Sequence, residues 1–248
     1  GKTARPLNMR ATSPSGQTLA VNTLHLELNG KPWLPVMGEF HYARCPERFW
    51  EEELLKMKSG GIDIVASYLF WIHHEEVEGE FEWGGRRNAR AFFELCGRLG
   101  LYTFPRIGPW CHGECRNGGH PDWILTKGFT VRSTDPGYLK YVERLYAQIA
   151  IQLKGLYWKD SGPIVGIQLE NEHVKHGPGV GKEYYLALKR LAVEQGIVAP
   201  FYTMTGWGDP EVPWGEVIPV YGGYPDSFWE SATKKDQSPN YVFSHCRA

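Results

Sequence analysis

Short apolar runs alternate with amphipathic segments along this 248-residue chain, and this alternation restricts its fold more than any other feature. Six runs rich in β-branched or aromatic residues are predicted as strands, at about residues 34–42, 62–70, 101–108, 163–170, 199–205 and 217–222. Apolar strands that alternate with helices are typical of a parallel sheet covered by helices. Since no dinucleotide-binding glycine fingerprint is present, the pattern favours a (β/α)8 TIM barrel, an α/β fold, over a doubly wound sheet.

The helical segments carry their own boundary signals. Asp135 and Pro136 predict the start of a long helix, and Tyr141, Leu145 and Ile149 lie on one face of it. Other helices are predicted in ERFWEEELLKMKSGG, RNARAFFELCG and KEYYLALKRLAVEQG.

The N-terminal residues differ from the rest of the chain. Asn29-Gly30 separates two extended stretches and predicts a β-hairpin. We therefore divide the chain into a hairpin segment, residues 1–33, and a barrel segment, residues 34–248. Residues 223–248 hold no further strand–helix pair in this interpretation, so the barrel is expected to be incomplete, with strands seven and eight beyond Ala248.

Composition excludes several classes of partner. Because 27 Lys and Arg balance 28 Asp and Glu, we expect neither a nucleic acid nor a membrane as partner. The first residues, GKTARPLNMR, lack the apolar core of a signal peptide, and the five cysteines do not make a disulfide scaffold. The compartment stays open, with secretion or a periplasmic location as candidates if a signal peptide lies outside this chain.

Polar residues follow the predicted strands at the end where barrel enzymes keep their reacting groups. The fourth strand, IVGIQL, runs into Glu170, Asn171 and Glu172. Burial and a neighbouring carboxylate favour a protonated Glu172 near neutral pH, which is what a glycosidic leaving oxygen requires of its acid. Asn171 can hydrogen-bond the sugar hydroxyl beside the reacting carbon.

Four motifs stand in order over residues 38–173, namely GEFHYAR, PERFWEEELLKMKSGGIDIVASYLFWIHHE, GPWCHGECRNGGHPDW and GPIVGIQLENEH. They resemble the motifs of glycoside hydrolase family 35, which are close to GEIHYFR, W..HE, GPY.CAEW..GG.P.WL and GP....Q.ENEYG. The resemblance implies a retaining exo-β-galactosidase that removes terminal β-D-galactose from oligosaccharides or polysaccharides, with a carbohydrate as partner, no cofactor and no metal.

The same resemblance assigns residues to roles. It implies that Glu172 is the acid/base and Asn171 a substrate-binding amide. Tyr68 and Glu114 correspond to galactose-binding side chains, and His112 and Gly113 belong to a loop that lines the sugar site. The chain departs from the family in the run His112-Gly113-Glu114-Cys115, where Cys-Ala-Glu-Trp is usual, so contacts at the rim of the sugar are expected to differ. A second departure is Ile72, where Asn is common.

A retaining glycosidase also requires a second carboxylate, about 5 Å from the acid. The family carries this nucleophile on its seventh strand, so we expect it to be absent from this chain. Glu211, Glu216 and Glu230 are the nearest remaining acids, and Glu230 is expected to be a surface residue.

Other interpretations stay open. Cys111 and Cys115, with His73 and His74 on the preceding loop, are compatible with zinc or a local disulfide, although no second Cys/His pair supports a metal. His41 and Arg44 are expected to support the carboxylates. The alternatives in function are a non-catalytic or truncated carbohydrate-binding barrel, and another retaining β-glycosidase of the same clan, such as an endo-β-mannanase.

Overall fold

A small antiparallel sheet forms the N-terminal part of the computed structural model, which describes residues 4–205, 211–213, 215–223 and 244–246. Its strands, in spatial order, are β1 (Pro6–Thr12), β2 (Thr18–Asn22), β3 (Leu26–Leu28) and β4 (Lys31–Trp33). The predicted hairpin is confirmed, because β3 pairs with β4 and both turn residues, Asn29 and Gly30, have positive φ angles of 53° and 73°. The strand β1 was not predicted, since PLNMRAT offers only two large apolar side chains.

The remaining strands form one curled sheet in which each strand pairs in parallel with the next. They are β5 (Met37–Glu39), β6 (Ile64–Tyr68), β7 (Tyr102–Arg106), β8 (Ile167–Asn171), β9 (Phe201–Met204), β10 (Ile218–Gly223) and β11 (Ser244–Cys246). The first six lie inside or within one residue of the predicted runs. The sheet is an incomplete (β/α) barrel, as predicted.

The seventh strand corrects the sequence analysis, which expected no further strand between residues 223 and 248. Tyr221, Gly222 and Gly223 of β10 pair with Ser244, His245 and Cys246 of β11. Three residues without an apolar run give no hydrophobic pattern, and this pairing rests on backbone hydrogen bonds.

Helices cover one face of the sheet. They are α1 (Trp50–Ser59), α2 (Trp71–His74), α3 (Ala89–Arg98), α4 (Pro136–Leu153) and α5 (Lys182–Glu194). Short 3₁₀ turns occur at Tyr42–Arg44, Glu47–Phe49, Gly85–Arg87, Arg116–Gly119, Asp122–Thr126 and Trp158–Asp160. The side chain of Asp135 accepts a hydrogen bond from the Gly137 amide, which confirms the predicted cap of α4. No helix within the described ranges has the length and apolar character needed to cross a bilayer.

Apolar side chains fill the lumen of the barrel as well as the layer beneath the helices. Met9, Leu19 and Leu26 of the small sheet share a cluster with Ile64 and Phe104 of the barrel strands. The small sheet covers the amino-terminal ends of those strands, because Trp33 packs edge-on against Tyr102, the first residue of β7, at 5.2 Å between ring centroids. The carboxyl ends of the barrel strands lie at the opposite end from this small sheet.

Candidate active site

A bulge shapes the end of β8. The pairing of β8 with β9 shifts between Gln168 and Asn171, and Glu170 lies there with a positive φ of 56°. Gln168 and Asn171, three residues apart, consequently share one side of the strand, and the amide nitrogen of Gln168 donates to Oδ1 of Asn171 at 3.0 Å. A regular strand would send these two side chains to opposite faces.

Arg106, at the end of β7, is the buried centre of a polar network at the strand ends. Its guanidinium donates to Glu39 Oε1 at 2.5 Å, to Gln168 Oε1 at 2.9 Å and to Asn171 Oδ1 at 2.8 Å. The same cation lies 3.6 Å from the ring centroid of Tyr68. One side chain therefore joins the ends of four neighbouring strands, β5, β6, β7 and β8.

The network fixes the orientation of the Asn171 amide. A guanidinium can only donate, so Oδ1 is the atom facing Arg106, and the amide nitrogen faces His112 Nδ1 at 3.0 Å. The indole of Trp110, also a donor only, points to the same Nδ1 at 3.0 Å, so the neutral ring of His112 carries its proton on Nε2. Asn171 has no exposed surface, and a sugar hydroxyl could reach its amide nitrogen only by displacing the His112 ring.

The first acid of the Glu-Asn-Glu run is a buried, paired anion. Glu170 is 1% exposed, and both of its oxygens accept hydrogen bonds from Arg132, at 3.2 and 2.6 Å. The hydroxyl of Tyr184 donates to Oε1 at 2.8 Å. Burial alone would raise the pKa of Glu170, but the Arg132 charge overrides it and the pKa is lowered. Glu170 thus stays ionised, and Arg132 compensates its charge. The sequence alone had suggested an uncompensated charge beside Glu172.

The second acid is the one that solvent reaches. Glu172 follows directly after β8, is partly exposed, and has a positive φ of 49°. Its amide donates to the carbonyl of Met204 at 2.7 Å, which ties the end of β8 to β9. Of the two acids in this run, Glu172 is therefore the one placed to meet a ligand.

The loop after β7 lies against aromatic side chains from the ends of the neighbouring strands. Gly113 has a φ of 59°, and a Cβ there would lie 2.7 Å from Phe70, so the close approach requires glycine. Arg44 donates to the Gly113 carbonyl at 2.5 Å and covers the Phe70 ring at 4.7 Å. Tyr68 is 4% exposed and stacks on His41 at 5.3 Å between ring centroids.

The two remaining predicted residues differ in exposure. His112 is half-buried and Glu114 is exposed, and both adopt left-handed backbone angles. Burial lowers the pKa of His41, against the opposing charges of Glu39 and Glu114. The structure thus brings Tyr68, His112, Gly113, Asn171 and Glu172 to the ends of β6, β7 and β8, and leaves Glu114 on the open side of the loop.

Other acids and thiols have separate surroundings. Glu211 accepts hydrogen bonds from the backbone amides of Gly177 and Lys182, and Glu216 pairs with Lys189 at 2.8 Å. Glu230 lies outside the described residues. Cys111 and Cys115 are free thiols whose pKa is raised by burial. In the described part of the chain, no three His, Cys, Asp or Glu side chains come together as a metal site.

Arg106 and Arg132 were not singled out from the sequence. Glu39, Trp110 and Gln168 stand at predicted strand ends, but the sequence alone assigned them no role in the site. A charge within the apolar run YTFPRIG was a signal for Arg106, since charged residues are rarely buried without partners. Arg132 lies in the irregular segment FTVRSTDP, where no pattern marks it.

Two solved glycosidases have folds similar to that of this chain. The exo-β-1,4-mannosidase Op5Man5 from Opitutaceae bacterium strain TAV5 superposes with a TM-score of 0.60 at 17% identity, over 89% of this chain and 41% of that one. A β-galactosidase from the psychrophilic Marinomonas ef1 gives 0.58 at 10% identity, over 77% and 41%. These likenesses concern the fold. The fold class that these structures share with this chain is the (β/α) barrel.

The chain belongs to the glycosyl hydrolases family 35, whose model matches residues 25–238. It is 38% identical to the β-galactosidase of Mus musculus over 146 residues, which are 58% of this chain and 23% of the relative. It is 29% identical to the mouse β-galactosidase-1-like protein 3 over 197 residues, 79% of this chain and 30% of the relative. The matched region thus covers less than a third of each of these relatives.

Proposed function

We propose that this chain forms the first part of the catalytic barrel of a retaining exo-β-galactosidase, which removes terminal, non-reducing β-D-galactose from oligosaccharides or polysaccharides. Family membership and the names of the relatives support the substrate class. The observation that carries the proposal is the pairing of the solvent-reached acid Glu172 with an amide, Asn171, whose orientation is fixed by Arg106.

Each residue has a defined task in this mechanism. Glu172 gives a proton to the leaving oxygen in the first step and takes one from water in the second. The amide nitrogen of Asn171 donates to the hydroxyl beside the reacting carbon. In the complex with substrate, this hydroxyl takes the place of His112 Nδ1. Tyr68 and Glu114 hold further hydroxyls, with His112 and Gly113 on the same wall. None of these steps calls for a cofactor.

The attacking carboxylate is proposed to come from residues outside this chain. The strand β11 consists of Ser244, His245 and Cys246 and carries no carboxylate itself. The contacts of Glu211 and Glu216 with backbone amides and Lys189 support structural roles for both. We call this chain, continued through the remaining strands of the barrel, the complete enzyme.

The test is Glu172→Gln in the complete enzyme. Galactosides with poor alkyl leaving groups should slow by about 10²–10⁴-fold, whereas activated aryl galactosides need no proton in the first step and should slow far less. Rates are measured at saturating substrate, with glycosyl-enzyme accumulation followed by a burst assay so that the limiting step is known. Equal losses on both substrate types, with the first step limiting, would refute the acid role.

A further inference from the structure

We propose that Arg132 is a positioning residue that fixes the backbone carrying Glu172. It precedes α4 in the chain, in a left-handed conformation with a φ of 56°. Besides its two bonds to Glu170, its guanidinium donates to the carbonyl of Asn171 at 3.0 Å. This inference rests on the proposed function, because the acid it positions is Glu172.

The segment around Arg132 is itself fixed. The Ser133 hydroxyl donates to the Thr130 carbonyl at 2.6 Å, and the Thr134 amide donates to the Gly179 carbonyl at 2.7 Å. The guanidinium also lies 4.4 Å from the ring centroid of Trp110. Arg132 is thus held by its own segment and by the loop after β7, and it can act as a fixed support for the end of β8.

The bond to Asn171 acts on a particular peptide group. The carbonyl of Asn171 and the amide of Glu172 belong to the same peptide, and that amide is bonded to Met204. Arg132 holds the oxygen of this peptide and Met204 holds its nitrogen, so the peptide cannot rotate. The φ of Glu172 is a left-handed 49°, which an L residue adopts only where its surroundings impose it.

The Asn171 side chain is held separately. Its Oδ1 accepts from Arg106 and Gln168, and its amide nitrogen faces His112. Loss of Arg132 therefore changes the placement of Glu172 while the Asn171 amide keeps its own partners. The predicted consequence is a defect in proton transfer and not in sugar binding.

The ion pair determines how this can be tested. Glu170 accepts four hydrogen bonds, two from Arg132, one from Tyr184 and one from the Asn171 amide. Removing Arg132 alone would leave a buried carboxylate without its cation, which destabilises folded proteins strongly. The informative comparison is between Glu170→Gln and the double variant Arg132→Met/Glu170→Gln, because both lack the buried carboxylate and they differ only in the guanidinium, whose side chain is 15% exposed.

In the complete enzyme, relative to Glu170→Gln, the double variant should lower kcat on alkyl galactosides by at least about tenfold, and on activated aryl galactosides by less than about threefold. The KM for both substrates should stay within about twofold. The matched control is the ion pair between the buried Glu75 and the partly exposed Arg144, in which Glu75 also accepts from the Trp71 indole at 2.7 Å. We expect the kcat of Arg144→Met/Glu75→Gln, relative to that of Glu75→Gln, to change by the same factor on alkyl and aryl galactosides.

The positioning role of Arg132 would be overturned if the double variant lost kcat equally on alkyl and aryl galactosides, or if it lost no kcat on either. The series is run on whichever glycoside the complete enzyme cleaves. A sugar other than galactose then refutes the substrate assignment and still tests Arg132. If Glu172→Gln shows no leaving-group dependence, the proposed function fails and the positioning role fails with it. If Glu172→Gln shows the expected leaving-group dependence but the double variant keeps the kcat of Glu170→Gln, only the role of Arg132 is refuted.

Discussion

The guanidinium of Arg106 donates to Oδ1 of Asn171 at 2.8 Å, and this contact decides which atom of the amide is available to a ligand. An amide without a fixed partner can turn its oxygen or its nitrogen outward at similar energy. With its oxygen held on β7, Asn171 can meet a sugar only as a donor. A donor binds a lone pair of a sugar hydroxyl and leaves the proton of that hydroxyl available to another acceptor.

Arg106→Met in the complete enzyme should lower kcat/KM by about 10- to 100-fold on alkyl and aryl galactosides alike. The reason is that the amide oxygen of Asn171 loses one of its two donors, and the orientation of the amide is weakened, while the proton donor is untouched. Steady-state kinetics on both substrate types measure the effect, and thermal unfolding shows that the variant is folded. Arg190→Met, which removes an exposed pair with Glu194 on α5, is the control and should change neither rate. A loss confined to alkyl galactosides would contradict this role.

Glu114→Ala and Tyr68→Phe should each weaken inhibition by galactose by about tenfold, since each removes one proposed hydrogen bond to a sugar hydroxyl. The pH profile should stay unchanged, because neither residue transfers a proton. Glu94→Ala on α3 and Tyr102→Phe at the opposite end of the barrel are the matched controls. Unchanged inhibition constants in both test variants would remove these two assignments.

The 248-residue chain alone should show negligible β-galactosidase activity. The covalent intermediate requires a second carboxylate, and acid assistance alone contributes only about 10²–10⁴-fold of a much larger acceleration. In the described residues, β5 and β11 each pair on one side only, so open strand edges should also favour aggregation. Turnover of aryl galactosides by a soluble monomer would show that a carboxylate of this chain is the nucleophile, and Glu230→Gln would be the first variant to examine.

His120 should make the fold sensitive to acid. Burial lowers its pKa to about 4, whereas the unfolded chain takes up the proton near 6.5. The stability from neutral His120 is therefore fully present above pH 6.5 and is lost as pH falls towards 4, at about 1.4 kcal/mol per pH unit. That is about 2 kcal/mol between pH 6.5 and 5.

Urea unfolding of wild type and His120→Gln at pH 5, 7 and 8 measures this effect. Glutamine can still place a donor near Tyr138, the 2.8 Å partner of His120 Nε2. The variant should lose less stability than the wild type between pH 7 and 5, and the two should change in parallel from pH 7 to 8. Identical acid slopes would show that His120 does not carry the effect.

Much of the fold could be predicted from the sequence because hydrophobic patterning carries it. Six barrel strands and four helices have enough apolar residues to be recognised, and the side to which a barrel turns its reacting groups follows from topology. Ser244–Cys246 could not be recognised in this way, since its pairing with β10 depends on backbone groups that every residue has.

The polar network was harder to predict for a different reason. Glu39, Arg106 and Asn171 come from distant parts of the chain, and their contacts depend on the register of three strands. The motif assigns the acid/base role to Glu172 but does not predict the partner of Glu170. That partner, Arg132, comes from an irregular segment, and the bulge in β8 sets the position of both acids.

The bulge in β8 also limits how this site could be transplanted by protein design. Copied onto a regular strand, the run Gln-Leu-Glu-Asn-Glu would place its first glutamate on the same face as the glutamine and turn the asparagine away. Two carboxylates would then share one pocket without a cation between them. A graft that reproduced every side chain but not the left-handed residue at position 170 would therefore transfer the sequence and lose the arrangement.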